Sequence, residues 1–278
     1  MDLVSYDRHE DVLVLTLQRP PVNALSLALR GALLSALERA DHDERVRAVV
    51  LRGAGRGFSA GGDIREFGTP AVTATPRLTS DVHPAIETSK KPIVAALHGY
   101  AIGGGLETAL ACHERVATVD TLIALPEVTL GVIPPSGTQR LPRVVSMTRA
   151  LEIILTGTQF RADAFAHEPL FSQLVPDLKT LGVIARSRAL RMAEVGGPFP
   201  LVRRLPVMGA PSDVNRILMD TMASLELDVA NSIRYRAVVA VAAAARSCDF
   251  DIGMSEANGI CEELLRSVEA TKSTPRLA

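Results

Sequence analysis

Two glycine-rich turns and two glutamates are the residues of this chain best suited, by type and spacing, to do chemistry. The first turn reads Phe58-Ser59-Ala60-Gly61-Gly62-Asp63-Ile64, and the second runs from Gly99-Tyr100-Ala101-Ile102 into Gly103-Gly104-Gly105-Leu106-Glu107. Each follows an apolar run and leads towards a helix, which leaves backbone N–H groups free at the positive end of that helix. Two such N–H groups converging on one point would form an oxyanion hole, stabilising a carbonyl oxygen as it gains negative charge. A single glycine turn also serves wherever a backbone must bend, so the pair is more informative than either member. Neither is a phosphate loop. The pattern GxxxxGK followed by Ser or Thr is absent, and Gly53-Ala54-Gly55-Arg56-Gly57-Phe58 departs from the dinucleotide fingerprint. Glu107 falls in the first turn of the helix after the second glycine turn, and Glu127 follows Leu125-Pro126 in an apolar stretch reaching Val132. Such surroundings raise a carboxyl pKa towards the range useful for general acid–base work. The same positions also suit a helix cap for Glu107 and a surface carboxylate for Glu127.

The elements that must hold these groups can be read from hydrophobic periodicity. Residues 12–17 form a β-rich run that stops at Pro20-Pro21, which no strand interior tolerates. Ser26 caps a helix running to about Ala40, with Leu29, Leu33, Leu37 and Ala40 on one stripe. Buried strands are predicted at 46–51 and 92–97, a helix at 106–112, and short strands at 115–119 and 122–125. Residues 69–80 are rich in Thr, Pro and Ala with low periodicity, and predict a mobile segment. Strand pairs alternating with single helices indicate an α/β architecture. Residues 177–195 read as a helix. After Gly196-Gly197-Pro198 the character changes, and 214–270 reads as helices without strands. The expected organisation is a core over residues 1–198 carrying the active site, and a C-terminal helical region over 199–278.

Composition narrows the function classes. The 278 residues are 47% hydrophobic with a formal net charge of −1, which excludes a disordered chain and argues against general nucleic-acid binding. Aromatic residues make up only 4% of the chain, leaving few platforms for base stacking. Cys112, Cys248 and Cys261 lack CxxC spacing, so they predict reduced thiols rather than disulfides or a zinc site. Cys112-His113 has no further ligands at metal spacing, and no metal is assigned. His98 ends a buried strand and reads as structural, and His167 has no evident partner. The acidic N-terminus is not a signal peptide, and no run of about 18 uncharged apolar residues suggests a membrane span. A cytoplasmic location is the expectation.

Several segments together resemble the enoyl-CoA hydratase/isomerase (crotonase) family. They are Arg19-Pro20-Pro21-Val22-Asn23-Ala24-Leu25-Ser26, the two glycine turns, Leu125-Pro126-Glu127-Val128-Thr129-Leu130-Gly131, and Gly137-Thr138-Gln139-Arg140-Leu141-Pro142. They occur in the family's order and spacing across about residues 4–160. Residues 237–265, including Phe250-Asp251-Ile252-Gly253, resemble more loosely the end of the hydratase half of bifunctional β-oxidation enzymes. The resemblance implies a spiral of ββα turns followed by a C-terminal helical region. It further implies an oxyanion hole from the N–H groups of Gly62 and Gly104. Ala60, Gly62, Asp63, Ile64 and Gly104 would lie against the coenzyme A thioester, with Arg65 near the nucleotide phosphates or simply solvated. Glu107 and Glu127 match the two catalytic glutamates. Glu107 would activate water for attack on the β-carbon, and Glu127 would protonate the α-carbon.

Coenzyme A would arrive as part of an acyl-CoA substrate, and no separate cofactor is implied. Resemblance to many family members implies a homotrimer or homohexamer, while resemblance to the bifunctional relatives leaves a monomer open. Ending at Ala278, the sequence suggests the hydratase half without the dehydrogenase half. Two departures stand out. Val132-Ile133-Pro134-Pro135-Ser136 is one residue shorter than the family's glycine-rich loop and places Pro135 where a glycine is usual. Glu168-Pro169-Leu170-Phe171 alters a segment that usually reads Gly-Leu-Val/Ile. These leave double-bond isomerisation through Glu127 alone, and acyl-CoA binding without turnover, as alternatives to hydration.

Overall fold

The structure is a computed structural model that describes residues 2–225, 229–246 and 249–273. Cys248 lies outside these residues. The chain opens with an antiparallel hairpin of β1 (Val4–His9) and β2 (Val12–Leu17). Helix α1 (Leu27–His42) follows, capped as expected by Ser26, whose Oγ accepts the Leu29 N–H at 3.3 Å. Next come β3 (Ala48–Gly53), the short α2 (His83–Glu87), β4 (Ile93–Leu97), β5 (Tyr100–Ile102) and α3 (Gly104–Ala111). They are followed by β6 (Glu114–Thr118), β7 (Leu122–Ala124), α4 (Pro135–Arg140), α5 (Met147–Thr156), β8 (Phe160–Arg161), β9 (Gln173–Val175) and α6 (Leu178–Val195).

Two sheets result. The larger has the order β1-β2-β3-β4-β6-β9, parallel except for the β1–β2 pair, and the smaller has the order β5-β7-β8. Alternation along the strands sorts the apolar side chains. Leu13, Leu15 and Leu17 enter the main core, while Val12 and Val14 pack with Ala48, Val50, Val94 and Ala96 beneath Leu181, Ala185 and Ala189 of α6. Both faces of the parallel strands are therefore covered, which explains their continuous apolar runs.

A kink joins one sheet to the other. Between β4 and β5 the chain turns at Gly99, whose φ is +62° and whose added Cβ would lie 1.9 Å from the Arg56 carbonyl oxygen. Only glycine fits there. Ser59 of the first glycine turn also bridges Ala101 of β5, so both glycine turns meet at the small sheet.

Two expected boundaries shift and one strand goes unpredicted, each for a visible reason. The strand predicted at 46–51 runs to Gly53, because Thr16 and Leu17 of β2 pair with Arg52 and Gly53. The helix predicted from Leu106 begins at Gly104, with Gly103 at φ +53° as its cap. Strand β1 escapes periodicity because its second half, Asp7-Arg8-His9, is exposed at the sheet edge. Residues 69–80 include a 3-10 turn at Pro70–Val72 and the start of a π-helical turn at Leu78–Val82.

Among the described residues beyond 198 lie a 3-10 turn (Val202–Arg204) and three helices, α7 (Pro211–Ser224), α8 (Val229–Arg246) and α9 (Phe250–Ser273). Ala237, Val238, Ala240 and Val241 of α8 join the same apolar cluster as Leu13 and Leu106. Gly253 of α9 lies so close to α4 that a Cβ there would fall 2.2 Å from Gln139 Oε1. The helical region is thus continuous with the core that carries the glycine turns. Among the described residues no helix is long and apolar enough to cross a membrane.

Candidate active site

The two glycine turns stack against each other. An added Cβ on Gly61, at φ +90°, would lie 2.7 Å from the Ile102 carbonyl oxygen and 3.0 Å from the Gly104 nitrogen. One on Gly104 would lie 3.4 Å from the Gly62 nitrogen and 2.8 Å from Leu78 Cδ1. The amides of Gly62 and Gly104 are therefore neighbours that only glycine-lined turns could bring together. Among the described residues neither amide donates to a protein acceptor. Gly104 is the first residue of α3, so its N–H is one of the helix's unpaired donors.

Both glutamates reach this place. Glu107, one turn into α3, is buried, and its Oε1 accepts the Gly137 N–H of α4 at 2.7 Å. Pro135 is the first residue of α4, where a missing N–H costs nothing, so the shortened segment forms a helix start whose next amides face Glu107. Glu127 sits in the 3-10 turn Pro126–Leu130 after β7. As a whole the residue is half-buried, yet its Oε2 is sealed from solvent and has no hydrogen-bond partner among the described residues. Its Oε1 reaches the cap of α3, where a Cβ on Gly103 would lie 2.6 Å away.

Burial raises the pKa of both carboxyls, but unequally. For Glu107 burial is opposed by the Gly137 amide, the Arg140 charge and the Ser136 amide. For Glu127 burial is reinforced by the negative charge of Glu107, and its proton affinity rises well above the ordinary carboxylate range. The arrangement favours one ionised and one protonated carboxyl, titrating as a coupled pair.

Ala60, Gly62, Asp63, Ile64, Gly104, Glu107 and Glu127 line one cavity of about 220 Å³. Arg65 is not among its walls. Its guanidinium lies on Asp63, with Nε and Nη2 donating at 2.9 and 2.8 Å, and its side chain is 72% exposed. Asp63 is also held by Arg19 at 2.8 Å, and the Arg65 contacts, burial notwithstanding, lower its pKa to about 2. Asp63 therefore contributes backbone and a neutralised charge to the cavity.

The histidines named from sequence, Cys112 and the altered 168–171 segment fall outside the cavity. His98 Nε2 contacts the Gly55 carbonyl oxygen at 3.1 Å, and burial pushes its pKa down. His113 Nδ1 accepts the Ile93 N–H at 2.8 Å. His167 is exposed, Cys112 is a buried free thiol, and Leu170 and Phe171 are buried.

Sequence reasoning missed part of the cavity wall. Arg30 of α1 holds the segment above the site through Glu66, Ala71 and Pro76 at 3.0, 2.9 and 2.8 Å. Asn258, Cys261, Glu262 and Leu265 of α9 close the far side, and Arg77 bonds Glu262 at 2.8 Å. Arg30 carried one signal, a charged residue directly after Leu29 of the apolar stripe. The α9 residues had only their resemblance to the end of a hydratase half.

Residues 7–198 match the family profile described as Enoyl-CoA hydratase/isomerase. The chain belongs to this family. A probable enoyl-CoA hydratase of Bacillus subtilis (strain 168) is 40% identical over 194 residues, covering 68% of this chain and 71% of the relative. The peroxisomal bifunctional enzyme of Homo sapiens is 33% identical over 274 residues, covering 96% of this chain but 37% of that protein. The chain thus spans little more than a third of this bifunctional relative. The solved structure of an enoyl-CoA hydratase from Mycobacterium tuberculosis H37Rv superposes with a TM-score of 0.63 at 26% identity, covering 87% of this chain and 90% of that one. The α/β fold is crotonase-like, as the motifs implied, with its C-terminal helical region attached.

Proposed function

We propose that this family member is an enoyl-CoA hydratase, adding water across the 2,3 double bond of 2-enoyl-CoA thioesters. The observation that carries the reading is the unequal pair of buried carboxyls facing one cavity with two unengaged amides. The thioester carbonyl would accept hydrogen bonds from the Gly62 and Gly104 N–H groups. Glu107, the carboxyl that keeps its charge, takes a proton from water as the water oxygen bonds to the β-carbon. Negative charge moves to the thioester oxygen, where each preorganised donor is worth about 3–4 kcal/mol in the transition state. Glu127, the carboxyl that keeps its proton, delivers it to the α-carbon. A proton passing from Glu107 to Glu127 then restores the starting state. Isomerisation asks for only one shuttling carboxyl, so two carboxyls of opposite protonation favour hydration.

Ala60, Gly62, Asp63 and Ile64 supply the wall along which the pantetheine arm would lie. Arg65 is committed to Asp63, and we give it no role in holding the nucleotide. The test is a series of 2-enoyl-CoA thioesters of increasing chain length. Loss of conjugated absorbance, with a product heavier by one water, is the expected result. Conversion of a 3-enoyl-CoA into its 2-enoyl isomer without hydration would assign isomerisation. Thermal stabilisation by acyl-CoA without turnover at any chain length would assign binding alone.

A further inference from the structure

A buried charge cluster outside the cavity lies behind Glu107. Arg140 is the largest fully buried side chain among the described residues. Its Nη2 and Nε donate to Glu87 Oε1 at 2.7 and 3.2 Å, and both side chains are 2% exposed. Its remaining nitrogen, Nη1, donates to Ser136 Oγ at 2.5 Å. Arg203 meets the other Glu87 oxygen at 3.3 Å and Asp251 at 2.6 Å. An ion pair this deep is poorly explained by stability, because apolar residues of the same volume are often at least as stabilising.

Its position suggests another purpose. Ser136 and Arg140 stand one helical turn apart on α4, and Gly137, between them, donates its N–H to Glu107 Oε1. The guanidinium therefore grips the same turn whose amide holds the carboxylate. Ser136 belongs to the shortened segment that departs from the family pattern, and its hydroxyl ties that segment to the ion pair.

We propose that Arg140 is a positioning residue. Clamped by Glu87 and Ser136, it holds the Gly137 amide on Glu107 and makes Glu107, rather than Glu127, the carboxyl that stays ionised. The assignment of Glu107 as base rests on the hydratase reading above. Glu127 from the 126–130 turn, Arg140 from α4 and Cys261 from α9 face Glu107, and the ion-paired Asp63, Arg30 with Glu66, and Arg77 with Glu262 line the same cavity. Behind Arg140 stand Glu87 and His83 of α2, together with Arg203. Burial, with both glutamates adding, pushes the Cys261 thiol up to about 12, while burial and the Arg140 charge push His83 well below its ordinary value. Both are neutral at working pH. Among the described residues, Arg30 and Arg77 are paired with Glu66 and Glu262, and Arg140 acts on Glu107 without serving Glu127 as a counterion.

The test titrates the two carboxyls in the substrate-free protein by infrared difference spectroscopy, assigned by subtraction of Glu107→Gln and Glu127→Gln spectra. The double variant Glu87→Gln/Arg140→Met removes both members of the buried ion pair together, so neither is stranded. It is expected to move the Glu107 ionisation upward by about one pH unit, a tenfold change in proton affinity. The acid limb of kcat/KM for hydration should move with it, while KM stays within about twofold. Ser136→Ala, which removes one hydroxyl and no charge, should shift the same ionisation upward by a few tenths of a unit. Arg140→Lys, which keeps the charge, should return the ionisation most of the way to wild type. Titrations of Ser136→Ala and of the double variant that overlay the wild type would overturn the proposal, leaving the clamp a packing device. A wild-type protein that hydrates nothing would instead sink the hydratase reading, and the infrared titration would still decide the clamp.

Discussion

Asp63 and Glu127 face the same cavity and illustrate opposite uses of a buried acid. Asp63 is clamped by Arg65 and Arg19, and its proton affinity falls. Glu127 has a sealed oxygen without a hydrogen-bond partner among the described residues, and its proton affinity rises. Both are acids close to glycine turns, yet one has its charge neutralised while the other favours its protonated form. Burial alone does not mark a working carboxyl. Burial without a counterion marks one that holds its proton.

The comparison is broken most severely at the second acid. Glu127→Gln and Glu107→Gln should each lower kcat/KM for hydration by about 10²- to 10⁴-fold, read from the loss of conjugated absorbance. The fold should survive Glu127→Gln. A carboxyl whose pKa is raised on folding favours the native state less as pH climbs above its unfolded value, so removing it relieves that penalty. The melting temperature of Glu127→Gln at neutral pH should match or exceed that of the wild type. A smaller effect is expected at the cap between the turns. Gly103→Ala would force an alanine to φ +53° with its Cβ 2.6 Å from Glu127 Oε1, at a cost of about 1–3 kcal/mol. Denaturant unfolding should show this loss, and hydration should fall with it.

Asp63→Asn tests the clamped acid. Its folded pKa of about 2 lies below the ordinary 3.8, so its stabilising contribution is present above pH 3.8 and lost as pH falls through 2. Wild type and Asp63→Asn should therefore differ in melting temperature by a few degrees at neutral pH and converge in strong acid. Arg65→Ala should matter least. The side chain is largely solvated, and exposed ion pairs contribute little, so KM for the thioester should stay within roughly twofold of wild type. A larger rise would return Arg65 to the coenzyme site implied by the family resemblance.

Much of this was legible in the sequence, for reasons visible in the structure. Continuous apolar runs at β2, β3 and β4 mark strands buried on both faces, and Ser26 marks its helix by capping it. The glycine turns and glutamates could be found because each needs a residue type that few other positions tolerate. The resemblance leaves Arg65 open between the nucleotide phosphates and solvent, and in the fold its partner is Asp63, two residues away, with its side chain largely exposed. Pairing between distant segments leaves no local trace. Arg140 with Glu87, 53 residues apart, and Arg77 with Glu262, 185 apart, meet only through the tertiary fold. The shortened segment looked like a weakness in the site. In the structure it starts a helix whose Gly137 amide secures Glu107.

The pH dependence of kcat/KM for hydration of a 2-enoyl-CoA tests most directly whether the two glutamates divide the proton between them. A bell-shaped profile is predicted. Activity should fall in acid as Glu107 gains a proton and in base as Glu127 loses one, with both apparent pKa values belonging to the coupled pair. A profile governed by a single ionisation, or one unchanged in shape by Glu127→Gln, would contradict the division of roles.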